Sequence, residues 1–234
     1  MRWLACMFLL SGFSAQAAMV TELIYHDQDP GSEAYVTRIL VNERYMRLDD
    51  GRDGGDFVLF DRKKGEVVNV LHGLKVLMRV TGRPLPLVRP AAYRVEERAE
   101  QVKQGTMRLQ IRADGVLCSE TVSARDLLPD AARAMSEYKL ALAYTQLQTY
   151  LNTPEDLRQP CDLLHHVWES GRSLAYGLPL EERDYSGRLR RFSGSTRKPL
   201  DSSWFTLPEG YQTLQPPEAD QATSNWQPAD VQTR

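Results

Sequence analysis

Three groups of residues are of the kinds that carry chemistry. They are the pair Cys118 and Cys161, the histidines His26, His72, His165 and His166, and the acidic, glycine-rich run from Asp49 to Asp56. A thiol serves as a nucleophile, a metal ligand or a disulfide partner. With no Cys-x-x-Cys and no histidine beside Cys118, pairing of Cys118 with Cys161 is the expected use, and a metal or catalytic thiol is the competing one. The histidines do not assemble. His165 and His166, adjacent on a helix, would point about 100° apart, which suits one metal poorly. Packed or surface positions are expected for them, and His26 and His72 fall in strand segments with no identifiable partner. The run Asp49-Asp50-Gly51-Arg52-Asp53-Gly54-Gly55-Asp56 offers hard oxygen ligands for Ca²⁺. It lacks EF-hand spacing and a closing glutamate, and its residue types are also those of a hairpin connection, so a turn is expected.

Nucleophilic and phosphate-binding signatures are missing. The chain has no Gly-x-Ser-x-Gly and no His-Glu-x-x-His, and Gly51 to Gly55 leads into neither a helix nor Gly-Lys-Ser/Thr. Catalysis would need a site assembled from distant segments, and a non-enzymatic protein without a cofactor or metal is the expectation. The 29 Lys and Arg against 31 Asp and Glu leave a net charge of -2, which gives no reason to expect a nucleic-acid partner.

The elements that would position these residues begin after a leader. Arg2 is followed by the apolar stretch Trp3 to Phe13 and by Ser14-Ala15-Gln16-Ala17, an Ala-x-Ala pattern that predicts cleavage before Ala18. The stretch is shorter than the roughly 20 residues of a spanning helix. Residues 1–17 are therefore read as a signal peptide, with no transmembrane segment after cleavage and a periplasmic mature protein. Export to an oxidising compartment also favours the Cys118–Cys161 pairing.

From Val20 to Val80 short apolar runs alternate with turn signals at Asp29-Pro30-Gly31, Asn42-Glu43, Asp49 to Asp56, Lys64-Gly65 and His72-Gly73. That spacing predicts an antiparallel meander. Alternation puts Met46 and Leu48 on one face of their strand, and Val76, Met78 and Val80 on one face of theirs. The proline-rich 82–91 reads as a connection, Tyr93 to Val102 as a solvated strand, and Met107 to Val122 as a hairpin turning at Asp114-Gly115. The period then changes. Leu128, Ala131, Met135, Tyr138 and Leu142 follow helical spacing, so a long helix is expected over 126–152, with one or two short helices up to Gly171. Strands return from Ser173 to Tyr211, and 216–234 is too poor in apolar residues to order.

The segments RYMRLDDG, DFVLFDRKKGEVVNVL and KVLMRV, with the later GLPLEERDYSGRLRRF and FTLPEGYQ, together resemble the half-barrel of LolA/LolB-like periplasmic proteins and related exported domains. The helical segment with Cys161 and the lack of a lipoprotein cysteine depart from that pattern. The resemblance implies an α+β fold, a curved antiparallel sheet forming an open half-barrel, and a periplasmic carrier, chaperone or sensor of apolar groups.

The chain is thus expected to hold one β-rich domain over 18–215 with a helical insert at about 126–171. A curved sheet covered by a helix encloses an apolar cavity. Met46, Leu48, Val76 and Met78 are the expected lining, and an apolar small molecule or lipid is the expected ligand. The alternative is a non-catalytic assembly factor for an envelope complex, with the sheet as scaffold and a protein partner docked on the insert.

Overall fold

The computed structural model describes residues 18–85, 94–159 and 161–214. The leader, much of the proline-rich connection and the C-terminal tail read from the sequence lie outside these residues.

Alternating side chains and glycine-bearing turns produce twelve strands in one open sheet. Met19–Gln28 (β1), Tyr35–Val41 (β2), Tyr45–Asp49 (β3), Phe57–Asp61 (β4), Glu66–Leu71 (β5) and Val76–Thr81 (β6) form the first meander. Val95–Lys103 (β7), Thr106–Ala113 (β8), Val116–Ala124 (β9), Leu178–Asp184 (β10) and Leu189–Pro199 (β11) form the second. The order is β12-β6-β5-β4-β3-β2-β1-β11-β10-β9-β8-β7, so the two meanders meet where β1 pairs antiparallel with β11. Gln212–Leu214 (β12), which the sequence pattern does not announce, adds a short parallel edge to β6. At the other edge, β7 is largely exposed and rich in charge, a composition that discourages edge-to-edge pairing.

The insert lies between β9 and β10. Its main element is Pro129–Asn152 (α1), with Pro129 in the first turn, where its missing N–H costs no helical bond. The expected short helices are present as a 3₁₀ turn at Glu155–Leu157, a π turn at Leu164–Trp168 and a second 3₁₀ turn at Arg172–Tyr176. Gly177, at φ +120°, closes the insert onto its own start; a Cβ there would stand 2.2 Å from the Ala124 carbonyl oxygen.

Two faces of the sheet are packed differently. On the helix face, Leu23, Tyr25, Ile39, Met46, Phe60 and Val67 pack against Ala131, Ala134, Met135 and Ala141 of α1. The helix can come close because Gly82, at the end of β6, has no side chain; a Cβ there would lie 3.2 Å from Ala141 Cα. On the opposite face, Val20, Leu40, Phe57, Leu59, Val68 and Leu77 are covered by the chain after β11, through Trp204, Phe205 and Tyr211. A third cluster, Leu109, Ile111 and Ala113 with Leu164, encloses the Cys118–Cys161 disulfide, which joins β9 to the start of the π-turn segment.

Candidate functional site

The acidic turn is structural. Asp49 is fully withdrawn from solvent and bridges two arginines: Arg38 Nε donates to Oδ1 at 2.7 Å and Arg47 Nε to Oδ2 at 2.6 Å. Asp53 takes a further bond from Arg38 at 2.6 Å. Among the described residues no group of three or more His, Cys, Asp or Glu is arranged to hold a metal ion. His72, which had no partner in the sequence reading, meets the Tyr211 hydroxyl through Nδ1 at 2.7 Å.

The helix face carries the two features that can receive a ligand. The first is an apolar groove. Strand register aligns Met46, Phe60, Val67 and Val80 in one row and Leu48, Val58, Asn69 and Met78 in the next. The first row belongs to the core under α1, where Phe60 meets the Tyr138 ring edge-on. The second row borders an open groove of about 390 Å³, together with Tyr35, Thr37 and Leu71. Of the four residues expected to line a cavity, Leu48 and Met78 therefore border this groove. Met46 is fully buried one row away in the core, and Val76 is nearly buried. Alternation correctly puts Met46 and Leu48 on one face, but only the placement of α1 decides which of the two is covered.

The second feature is a polar pocket of about 290 Å³ between α1, the π turn and the sheet, bordered by Tyr138, Lys139, His165, His166, Glu182 and Arg190, with Leu48, Asp184 and Arg188 also contributing. Its floor is a charge network. Arg190 Nε and Nη2 donate to the two oxygens of the fully buried Asp27 at 2.8 and 2.7 Å. Arg188 Nη2 reaches Asp27 at 2.9 Å, and so does the Thr37 hydroxyl. Burial pushes the Asp27 carboxyl up, but the Arg190 and Thr37 bonds and the Arg188 charge hold it below the usual carboxylate range. Glu182, opposite Arg190 in the β10–β11 pair, accepts from Lys139 Nζ at 3.2 Å. Burial raises its pKa, yet Lys139, His165 and Arg190 together keep it down at about 2. Burial pushes the His165 imidazole down to about 4, with Lys139 adding to the effect, and His166 also lies below its ordinary value because it is buried. The two rings stand 4.8 Å apart and nearly perpendicular, uncharged at neutral pH.

Sequence reasoning expected packed or surface histidines and placed neither in a pocket. The sequence places Arg188 and Arg190 in a hairpin over Asp184 to Phe192 and Glu182 only in the β region before it. A signal was present in that hairpin: the turn at Ser186-Gly187 pairs Glu182 with Arg190, which marks an inward-facing opposite-charge pair if that face is buried.

Comparisons with known proteins give little kinship. No family model matches the chain, and no curated protein matches it. Two solved structures of PNGF-II, in C2 and P21 space groups, are similar at TM-scores of 0.41 and 0.35 with 12% and 10% identity. Each match covers 85% of this chain, and this chain spans 31% and 32% of those proteins. The LolA superfamily protein NE2245 from Nitrosomonas europaea is similar at a TM-score of 0.31 and 9% identity, over 82% of this chain and 91% of that one. Likeness at this level carries no functional argument.

Proposed function

We propose that this chain is an exported, non-enzymatic binding protein for an apolar ligand, a lipid or lipidated group, which it takes into the groove on the helix face. The observation that supports this reading is the half-buried row Leu48, Val58, Asn69 and Met78, open to the groove on one side, beside a row of the same strands that α1 covers. An apolar sheet surface left open marks a site that something else covers, and about 390 Å³ falls within the ~300–1,000 Å³ typical of ligand sites. The Ala-x-Ala leader pattern and the buried Cys118–Cys161 disulfide favour the periplasm as the place of action.

The test is native mass spectrometry of the mature protein purified from the periplasm, before and after organic extraction. The expected result is an extra mass that extraction releases as a lipid or other apolar molecule. A bare protein that also fails to take up lipid from added vesicles would overturn the reading. A second reading, an assembly factor for an envelope complex, draws on Leu140 of α1 and Leu157 beyond it, 55% and 61% exposed on the insert. Crosslinking through those two positions to a stable protein partner would favour it.

A further inference from the structure

We infer that the pocket under α1 is the head site for the ligand in the groove, and that this ligand is a single-chain amphiphile ending in a carboxylate. The inference rests on the carrier reading above and adds the chemistry of the ligand's polar end. Groove and pocket adjoin at Leu48. Leu48 borders both, and Thr37, which borders the groove, hydrogen-bonds the same Asp27 carboxylate that Arg188 and Arg190 of the pocket hold. A chain lying along Leu48, Val58 and Met78 therefore ends beside two guanidinium groups.

The donors there are only partly used. Arg190 gives Nε and Nη2 to Asp27, and Arg188 gives Nη2, so among the described residues the Nη1 group of each has no hydrogen-bond acceptor. The two guanidinium groups share the Asp27 carboxylate, and Arg188 Nε also lies 3.7 Å from Asp29 Oδ1 at the exposed side. The neighbouring charges are already matched: Lys139 pairs with Glu182, and Asp184 accepts from its own turn, at 2.9 Å from Ser186 N, 2.6 Å from Ser186 Oγ and 3.2 Å from Arg188 N. An acid head would accept from the free guanidinium N–H groups and from the rings of His165 or His166, and guanidinium suits a carboxylate's paired oxygens. An uncharged hydroxyl head would accept from those donors without charge assistance and through one oxygen, and a cationic head would face both arginines. Lys139, Arg188 and Arg190 stand against Asp27, Glu182, Asp184 and the more exposed Asp29, so an acid head is held by guanidinium hydrogen bonds rather than by excess positive charge, and a monoanion enters at less cost than a dianion.

The test displaces the neutral apolar dye N-phenyl-1-naphthylamine from the oxidised, mature chain with palmitate, hexadecanol or hexadecylamine. Palmitate should bind about tenfold or more tightly than hexadecanol, the range of a charge-assisted hydrogen bond. Arg188→Gln, at a position 40% exposed on the rim, should bring palmitate down to the level of hexadecanol. Should that variant misfold, Gln146→Glu on the α1 side of the pocket should weaken palmitate selectively by placing a like charge opposite its head. Equal binding of palmitate and hexadecanol, or tighter binding of hexadecylamine, would overturn the head site and leave the carrier reading standing. If no probe displaces the dye, or if the dye itself does not bind, the carrier reading fails and the inference falls with it.

Discussion

Arg190 closes on Asp27 through two parallel bonds, Nε to Oδ1 and Nη2 to Oδ2, across the β1–β11 seam where the two meanders meet. Asp27 is fully buried and also serves Arg188 and Thr37. Removing one partner of such a pair leaves an uncompensated charge in the interior. Asp27→Asn is therefore expected to cost about 3–5 kcal/mol, read as a lowered urea midpoint. The double variant Asp27→Leu/Arg190→Met, which removes both charges, should lose markedly less. Equal losses in the two variants would contradict a shared ion pair.

Acid should weaken the fold. His165 is held at about 4 against an ordinary 6.5, so between those values the unfolded chain takes a proton that the folded one refuses. Stability then rises with pH across that window and is lost as pH falls through it, by about 3 kcal/mol from this group alone. Glu182, at about 2 against 4.5, acts in the same direction further down: its stabilisation is present above 4.5 and fades towards 2. Denaturant midpoints measured at pH steps from ~7 to ~3 should fall, and a His165→Gln variant should flatten the upper part of that decline. A flat profile in the parent protein would contradict the burial of His165 and the pairing of Glu182 with its cationic neighbours.

Reducing the disulfide should destabilise without changing the face the groove presents. Cys118 and Cys161 are 43 residues apart, and closing such a loop is worth about 4 kcal/mol in the chain-entropy model. Cys118→Ala/Cys161→Ala should therefore unfold at lower urea by a corresponding amount, and the parent should move to the same midpoint under reductant. An unchanged midpoint in reductant would mean that the bond does not form.

Neighbouring rows of the sheet should respond differently. Met46→Ala empties a position with no solvent exposure and should cost about 2–5 kcal/mol. Met78→Asp, on the open row, should leave the unfolding midpoint nearly unchanged and reduce retention of an apolar ligand about tenfold or more. A stable Met46→Ala, or full ligand retention in Met78→Asp, would contradict the assignment of rows to core and groove.

The first meander is legible because its strands alternate in type and its turns use Gly, Asp and Asn, so the six strand positions follow from local pattern, as does the long helix, expected over 126–152 and found over Pro129–Asn152. The seam is not legible. Nothing in residues 19–28 or 189–199 says that they pair, since β1 carries apolar residues on both faces and β11 is mostly polar. The pocket depends on that seam: Asp27, Glu182 and Arg190 come from three strands that only the completed sheet brings together. His165 and His166 were visible as a pair, but their entry into a pocket depends on the π turn, whose extra residue per turn has no compositional signature.

The seam also has a consequence in time. β1 is the first strand of the sheet and β11 one of the last, so the longest strand pairing among the described residues joins residues near 20 to residues near 195. At ~5–20 residues per second, synthesis separates the two by roughly ten to thirty seconds. Until β11 arrives, the inner edge of the first meander has no neighbour and Asp27 has no arginine. The sheet therefore closes late, and contacts between such distant segments make that closure slow. A chain that cannot close before its C-terminal part appears keeps the first meander's edge open for as long as synthesis of the intervening residues takes.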